Sequence, residues 1–85
     1  MYEVVYTKQV DRTLRRMSRN QAQVIRIKIE GIAQDPYPQH NNLTKLVGRS
    51  GYRLRVGDWR ILYELQDQQL ILLVVKIASR GDVYR

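Results

Sequence analysis

Cysteine is absent from this 85-residue sequence. That excludes disulfides, a thiolate metal site and a cysteine nucleophile. Histidine occurs once, at His40, and no signature of a His-based triad is present. A metal centre would have to be held by carboxylates alone. The eight acidic residues are scattered along the chain, so neither a metal nor any other cofactor is expected. His40 reads as an ordinary loop histidine, although imidazole titrates in a range suited to proton transfer. No apolar run has the length needed to cross a bilayer. The N-terminus MYEVVYTK lacks the apolar stretch and cleavage site of a signal peptide. The expectation is a cytoplasmic protein with no membrane partner. Phosphate-binding glycine loops, nucleophile elbows and close carboxylate pairs are missing as well.

Positive charge is what the chain has in excess. Fifteen Lys and Arg stand against eight Asp and Glu, for a net charge of +7. Residues 1–20 and 41–60 hold all of that excess, and the remaining blocks balance to zero. Such a distribution implies a polyanionic partner. The hydrophobic fraction of 44% excludes wholesale disorder. At this length, residues 1–85 form one domain with one core.

Tyr2–Tyr6 is rich in β-formers and predicts a short strand. Thr7 can cap a helix over Lys8–Met17, where Val10, Leu14 and Met17 make one stripe. Arg12, Arg15, Arg16 and Arg19 lie off it, as a solvated helix surface or as contacts to a nucleic-acid backbone. Ser18 and Gln21 suit a capping box that opens a second helix to about Gln34. Ala22, Ile25, Ile29 and Ile32 form its inner stripe, widened by Val24 and Ala33. Asp35-Pro36-Tyr37-Pro38 ends that helix. Gln39–Asn42 reads as loop and Leu43–Val47 as a short strand or extended lead-in.

The stretch Tyr52–Tyr63 (YRLRVGDWRILY) organises the rest. Its alternation predicts a hairpin with Gly57-Asp58 as the two-residue loop. Val56 then faces Trp59, Arg55 faces Arg60, Leu54 faces Ile61 and Arg53 faces Leu62. One face carries Tyr52, Leu54, Val56, Trp59, Ile61 and Tyr63. The other carries Arg53, Arg55 and Arg60. Like charges directly opposite one another weaken a sheet, so this is either a solvated face on which arginine is tolerated or, as the sharper reading, an anion site, and phosphate is an anion that guanidinium groups grip bidentately. After a polar turn at Gln66–Gln69, Leu70–Ile77 is apolar enough for a strand covered on both faces. The last segment, Ala78–Arg85, leaves the sheet.

The order is therefore strand, helix, helix, three strands: an α+β domain whose small, antiparallel-rich sheet carries a helical hairpin on one face. The first strand joins beside the long last one. The open face holds the arginines.

Leu43–Arg85 resembles the C-terminal half of the RelE/ParE superfamily, the toxins of type II toxin–antitoxin pairs. The likeness rests on Lys45-Leu46-Val47-Gly48, Tyr52–Arg55, Trp59–Tyr63, the apolar run Leu70–Ile77, and Arg80 ahead of Val83-Tyr84. The N-terminal half matches in element order and length. The resemblance implies a RelE-like, microbial-ribonuclease-like fold. In RelE-type members it implies a metal-independent endoribonuclease, an mRNA interferase that cuts messenger RNA in the ribosomal A site. Arg53, Arg55, Arg60, Arg80 and Tyr84 match its catalytic positions, and Lys45, Arg49 and Trp59 are expected as RNA contacts. A RelB-like antitoxin is the implied partner, beside mRNA on the ribosome. The alternative is a ParE-like inhibitor of DNA gyrase without nuclease activity. Some RelE toxins have lysines where this chain has Arg53 and Arg55, and arginine is a poor general base. Either proton transfer then falls to Tyr84, His40, Asp58 or the ribosomal RNA, or catalysis relies on positioning and electrostatics.

Overall fold

The computed structural model describes residues 1–36, 43–48 and 50–79. Seven elements follow in order: β1 (Glu3–Tyr6), α1 (Lys8–Arg16), α2 (Arg19–Gln34), β2 (Leu43–Lys45), β3 (Tyr52–Val56), β4 (Trp59–Gln66) and β5 (Ile71–Ser79). The expectations for His40, Arg49, Arg80 and Tyr84, for the loop at 39–42 and for the segment from 80 onward lie outside the described residues.

Both helices begin where the capping residues imply. Thr7 is extended, and its hydroxyl accepts the Val10 backbone N–H at 3.4 Å. Ser18 accepts the Gln21 backbone N–H at 3.2 Å. Each satisfies one of the donors that a helix start leaves unpaired. Val10 and Leu14 of α1 are buried, as are Ala22, Ile25, Ile29, Ile32 and Ala33 of α2. Val24 does not widen that stripe. It is exposed, because it sits off the inward face with Ile27.

The sheet order is β1-β5-β4-β3-β2, with β1 parallel to β5 and the other pairs antiparallel. The first strand thus lies beside the last. Leu54, Ile61, Tyr63, Leu72, Val74 and Ile77 join the helix residues in one core. The Tyr63 hydroxyl donates to the Pro36 carbonyl at 2.8 Å, and its ring stacks on Tyr52 with centroids 5.4 Å apart. This ties the end of α2 to the middle of the sheet. Gly51 makes room for the same strand. A Cβ there would come within 2.8 Å of the Tyr63 carbonyl oxygen, and its φ of 107° already favours glycine.

Three expectations for the last strand need correction. Ala78 and Ser79 do not leave the sheet: they pair with Arg60 and Trp59 and end this strand. It begins at Ile71, because Leu70 belongs to the turn with a φ of 56°. Nor is it covered equally on both faces. Leu72, Val74 and Ile77 are buried towards the helices, whereas Leu73, Val75 and Lys76 are half-buried. The cause is a register shift between Leu62 and Tyr63: Leu62 pairs with Lys76 but Tyr63 pairs with Val74, so Val75 has no partner on β4. Such a bulge reverses the sidedness of all that follows.

Candidate nucleic-acid interface

The β3–β4 hairpin turns through Gly57, whose φ is 58°, a value open to glycine at the first turn residue. Val56 pairs with Trp59, Arg55 with Arg60, Leu54 with Ile61 and Arg53 with Leu62. Leu54 and Ile61 are buried against the helices. By alternation, Arg53, Arg55 and Arg60 share the opposite face.

Neighbouring strands extend this face into two rows. Thr44, Arg53, Leu62 and Lys76 form one, and Arg55, Arg60 and Ala78 form the other. Leu62 is only 2% exposed yet stands outside the main core cluster. It is an apolar floor between Arg53 and Lys76. Arg55 is exposed, while Arg53, Arg60 and Lys76 are half-buried. Arg60 donates a long 3.5 Å hydrogen bond from Nη1 to the Trp59 carbonyl, which among the described residues occupies one of its five guanidinium donors. The nearest acid in the alternation is Glu64, one row further along β4, and Asp58 sits exposed in the hairpin turn. Positive charge from three adjacent strands therefore meets on one surface.

Of the residues expected at a site, Arg53, Arg55 and Arg60 come together. Lys45 does not join them. It pairs with Tyr52 on the edge strand and shares the parity of buried Leu43, which is the helix side of the sheet. Trp59 is on that side too. It packs against the core and lines an open groove of about 420 Å³ with Val56, Asn20, Val24 and Ile25. Lys76 is the residue that sequence reasoning missed. Its signal was available, since it is the one charge within an otherwise apolar strand and cannot face the core.

The helix arginines form a second basic surface, on the far side of the sheet. Arg15, Arg19 and Arg26 line an open cleft of about 540 Å³ between the helices. Arg15 Nε bridges Asp11 Oδ2 at 3.0 Å, and Arg26 lies 5.3 Å above the Tyr6 ring. Burial raises the Tyr6 phenol above its ordinary value, partly offset by Arg26. Among the described residues, no three His, Asp or Glu side chains gather as metal ligands.

The fold is shared with known toxins. The chain is similar to one in the intact RelBE toxin–antitoxin complex of E. coli, with a TM-score of 0.80 and 15% identity over 96% of this chain and 99% of that one. It is equally close to a chain of the archaeal RelE–RelB complex from Pyrococcus horikoshii OT3, at 0.80 and 24% over 96% and 98%. The RelBE2 complex of Mycobacterium tuberculosis follows at 0.75 and 18% over 93% and 98%. No curated protein matches the chain. The family model for the ParE toxin of type II toxin–antitoxin systems (parDE) matches residues 4–84, almost the whole length, and by that match the chain belongs to this family within the RelE/ParE superfamily: it is a type II toxin with a RelE-like fold.

Proposed function

We propose that this toxin is an endoribonuclease that cuts messenger RNA in the ribosomal A site and so stops translation. The observation that carries this reading is the direct pairing of Arg55 with Arg60 beside Arg53, on the sheet face away from the helices. Opposed guanidiniums disfavour the hairpin by up to about 1 kcal/mol. An RNA phosphate between them would turn that repulsion into bidentate attraction.

The chemistry needs no metal. The ribose 2′-hydroxyl attacks the adjacent phosphate and expels the 5′-oxygen, leaving a 2′,3′-cyclic phosphate. Arg60 and Arg80 stabilise the negative charge that gathers on the non-bridging phosphate oxygens in the phosphorane-like transition state, where preorganised donors act most strongly. Arg53 and Arg55 hold the flanking phosphates. Tyr84 stacks on a base or orients the nucleotide. Lys45, on the edge strand, serves a backbone phosphate away from the arginine face, and Arg49 is proposed as a further phosphate contact. Trp59 is left with the groove beside α2.

The similar structures are complexes of RelE with RelB. By analogy, a RelB-like antitoxin, encoded with this toxin and acting in the same cytoplasm, covers or distorts the basic face until it is degraded.

The ParE name of the matching family model favours a second reading, a gyrase inhibitor that does no chemistry. Mapping new RNA 5′ ends after induction in cells separates the two. Cuts within translated codons are expected, and Arg60→Ala should reduce them by about 10²–10³-fold without unfolding the protein. Gyrase-linked DNA breaks with intact messages would establish the second reading instead.

A further inference from the structure

Lys76 reaches the arginine face only because β5 is bulged. Continued alternation from Leu72 and Val74 would point residue 76 at the helices and residue 77 away. The observed register pairs Ile77 with Ile61 and buries it to 1% exposure, while Lys76 pairs with Leu62 on the other side. The strand is held in this state from its other edge. β1 ends at Tyr6, and two residues beyond it take over the hydrogen bonding. The Thr7 hydroxyl donates to the Val75 carbonyl at 3.2 Å. The Gln9 side chain donates to the Ile77 carbonyl at 3.3 Å and accepts the Ile77 N–H at 3.4 Å. The backbone on both sides of Lys76 is thus fixed by α1 and its cap.

A second observation concerns the other cations of the face. Arg53, Arg55 and Arg60 are guanidiniums, which effectively never give up a proton. Lys76 is an ammonium, which can. It is the diagonal neighbour of Arg60, whose direct partner on β5 is Ala78. Diagonal positions lie about 7–8 Å apart, within the reach of a lysine stem. On this face Arg60 lies diagonally across on the neighbouring strand β4, Arg53 lies two strands away on β3 beyond Leu62, and Glu64 is one row along β4. Buried Leu62 beside it gives the ammonium an apolar wall, where charge acts more strongly than in water. Asp58, a carboxylate in the hairpin turn, is an acceptor and not a donor.

We propose that Lys76 is the general acid of this toxin. The inference rests on the nuclease reading above. As the 2′-oxygen–phosphorus bond forms and the phosphorus–5′-oxygen bond breaks, the Lys76 ammonium gives its proton to the departing 5′-oxygen. The 2′-hydroxyl proton passes to water. The products are a 2′,3′-cyclic phosphate and a 5′-hydroxyl, and the Lys76 amine regains a proton from solvent.

The test uses ribosomes programmed with a short message, carrying either an ordinary linkage at the cut site or one whose 5′-oxygen is replaced by sulfur. A thiolate leaves without protonation. Lys76→Met keeps the stem, and Lys76→Arg keeps the charge without a transferable proton. Both should cut ordinary RNA about 10²–10⁴-fold more slowly and cut the sulfur-bridged RNA at close to the unmodified toxin's rate. Equal losses on both messages would mean that Lys76 only positions or supports, and no loss on ordinary RNA would remove it from the site. Either result overturns the proposal and leaves the nuclease reading standing. Failure of the unmodified toxin to cut either message overturns both.

Discussion

Arg55 and Arg60 face each other across β3 and β4, and no arrangement of charge could serve the isolated hairpin less. Replacing Arg55 by Thr keeps a good strand former and removes the repulsion. Thermal melts should show Arg55→Thr more stable by up to about 1 kcal/mol, which for a domain of this size is a rise in Tm of about 4–8 °C. The same variant should lose RNA cleavage, the usual opposition of stability and function at a binding surface. Tyr63 sets a different limit. Burial, and secondarily the neighbouring Tyr52, raises its phenol well above the ordinary value of 10.0. The folded state therefore keeps that proton when the unfolded chain has lost it. Stability from this group is complete below pH 10.0 and declines as pH rises beyond it. Tyr63→Phe gives up the bond to the Pro36 carbonyl, about 1 kcal/mol at neutral pH. Its Tm should then fall less steeply than that of the unmodified toxin between pH 9.5 and about 11.5, with Tyr6 keeping part of the slope.

At the scale of elements, what was legible in the sequence was what is local. Thr7 and Ser18 announce their helices because a cap acts within one turn. The hairpin register follows from Gly57 and from strict alternation on both sides of it. That alternation also placed Trp59 with Leu54 and Ile61, on the helix side and away from the arginines. The bulge in β5 was not legible in this way. Leu72–Val75 is apolar at every position, so periodicity cannot say which side chains turn inward. What decides it is contact at long range, with Thr7 and Gln9 at one edge and Tyr63 and Leu62 at the other. The lone lysine was the remaining clue. If α1 holds this register, Gln9→Ala should do more than remove a surface amide. Two bonds to Ile77 are lost, with a cost of about 1–3 kcal/mol in the denaturant midpoint. Hydrogen exchange at the Ile77 amide should quicken by more than that global loss accounts for, and cleavage should drop because Lys76 is released with it. An Ile77 amide as protected as before would show that the strand keeps its register without α1.

For the molecule as a whole, much of the basic charge of the described residues lies on two surfaces that a flexible short strand cannot bridge. The arginine face and the helix arginines lie on opposite sides of the sheet, in a body of 33 × 25 × 24 Å. A single strand of a few nucleotides on the arginine face meets Arg53, Arg55, Arg60 and Lys76. Its binding should weaken with salt at a log–log slope of about −3, since each phosphate neutralised on single-stranded RNA contributes about −0.7. Changing Arg12, Arg15, Arg16 and Arg19 together to Gln should leave that slope unchanged and slow association only slightly, because distant charge steers encounters more than it holds the complex. Changing Arg53, Arg55 and Arg60 to Gln should flatten the slope to below −1 in magnitude. Anisotropy titrations of a labelled hexanucleotide across four salt concentrations measure both. If the helix variant flattened the slope as much as the sheet variant does, the two surfaces would be a single continuous binding track. A convergent site on the sheet would then no longer account for where the charge is concentrated.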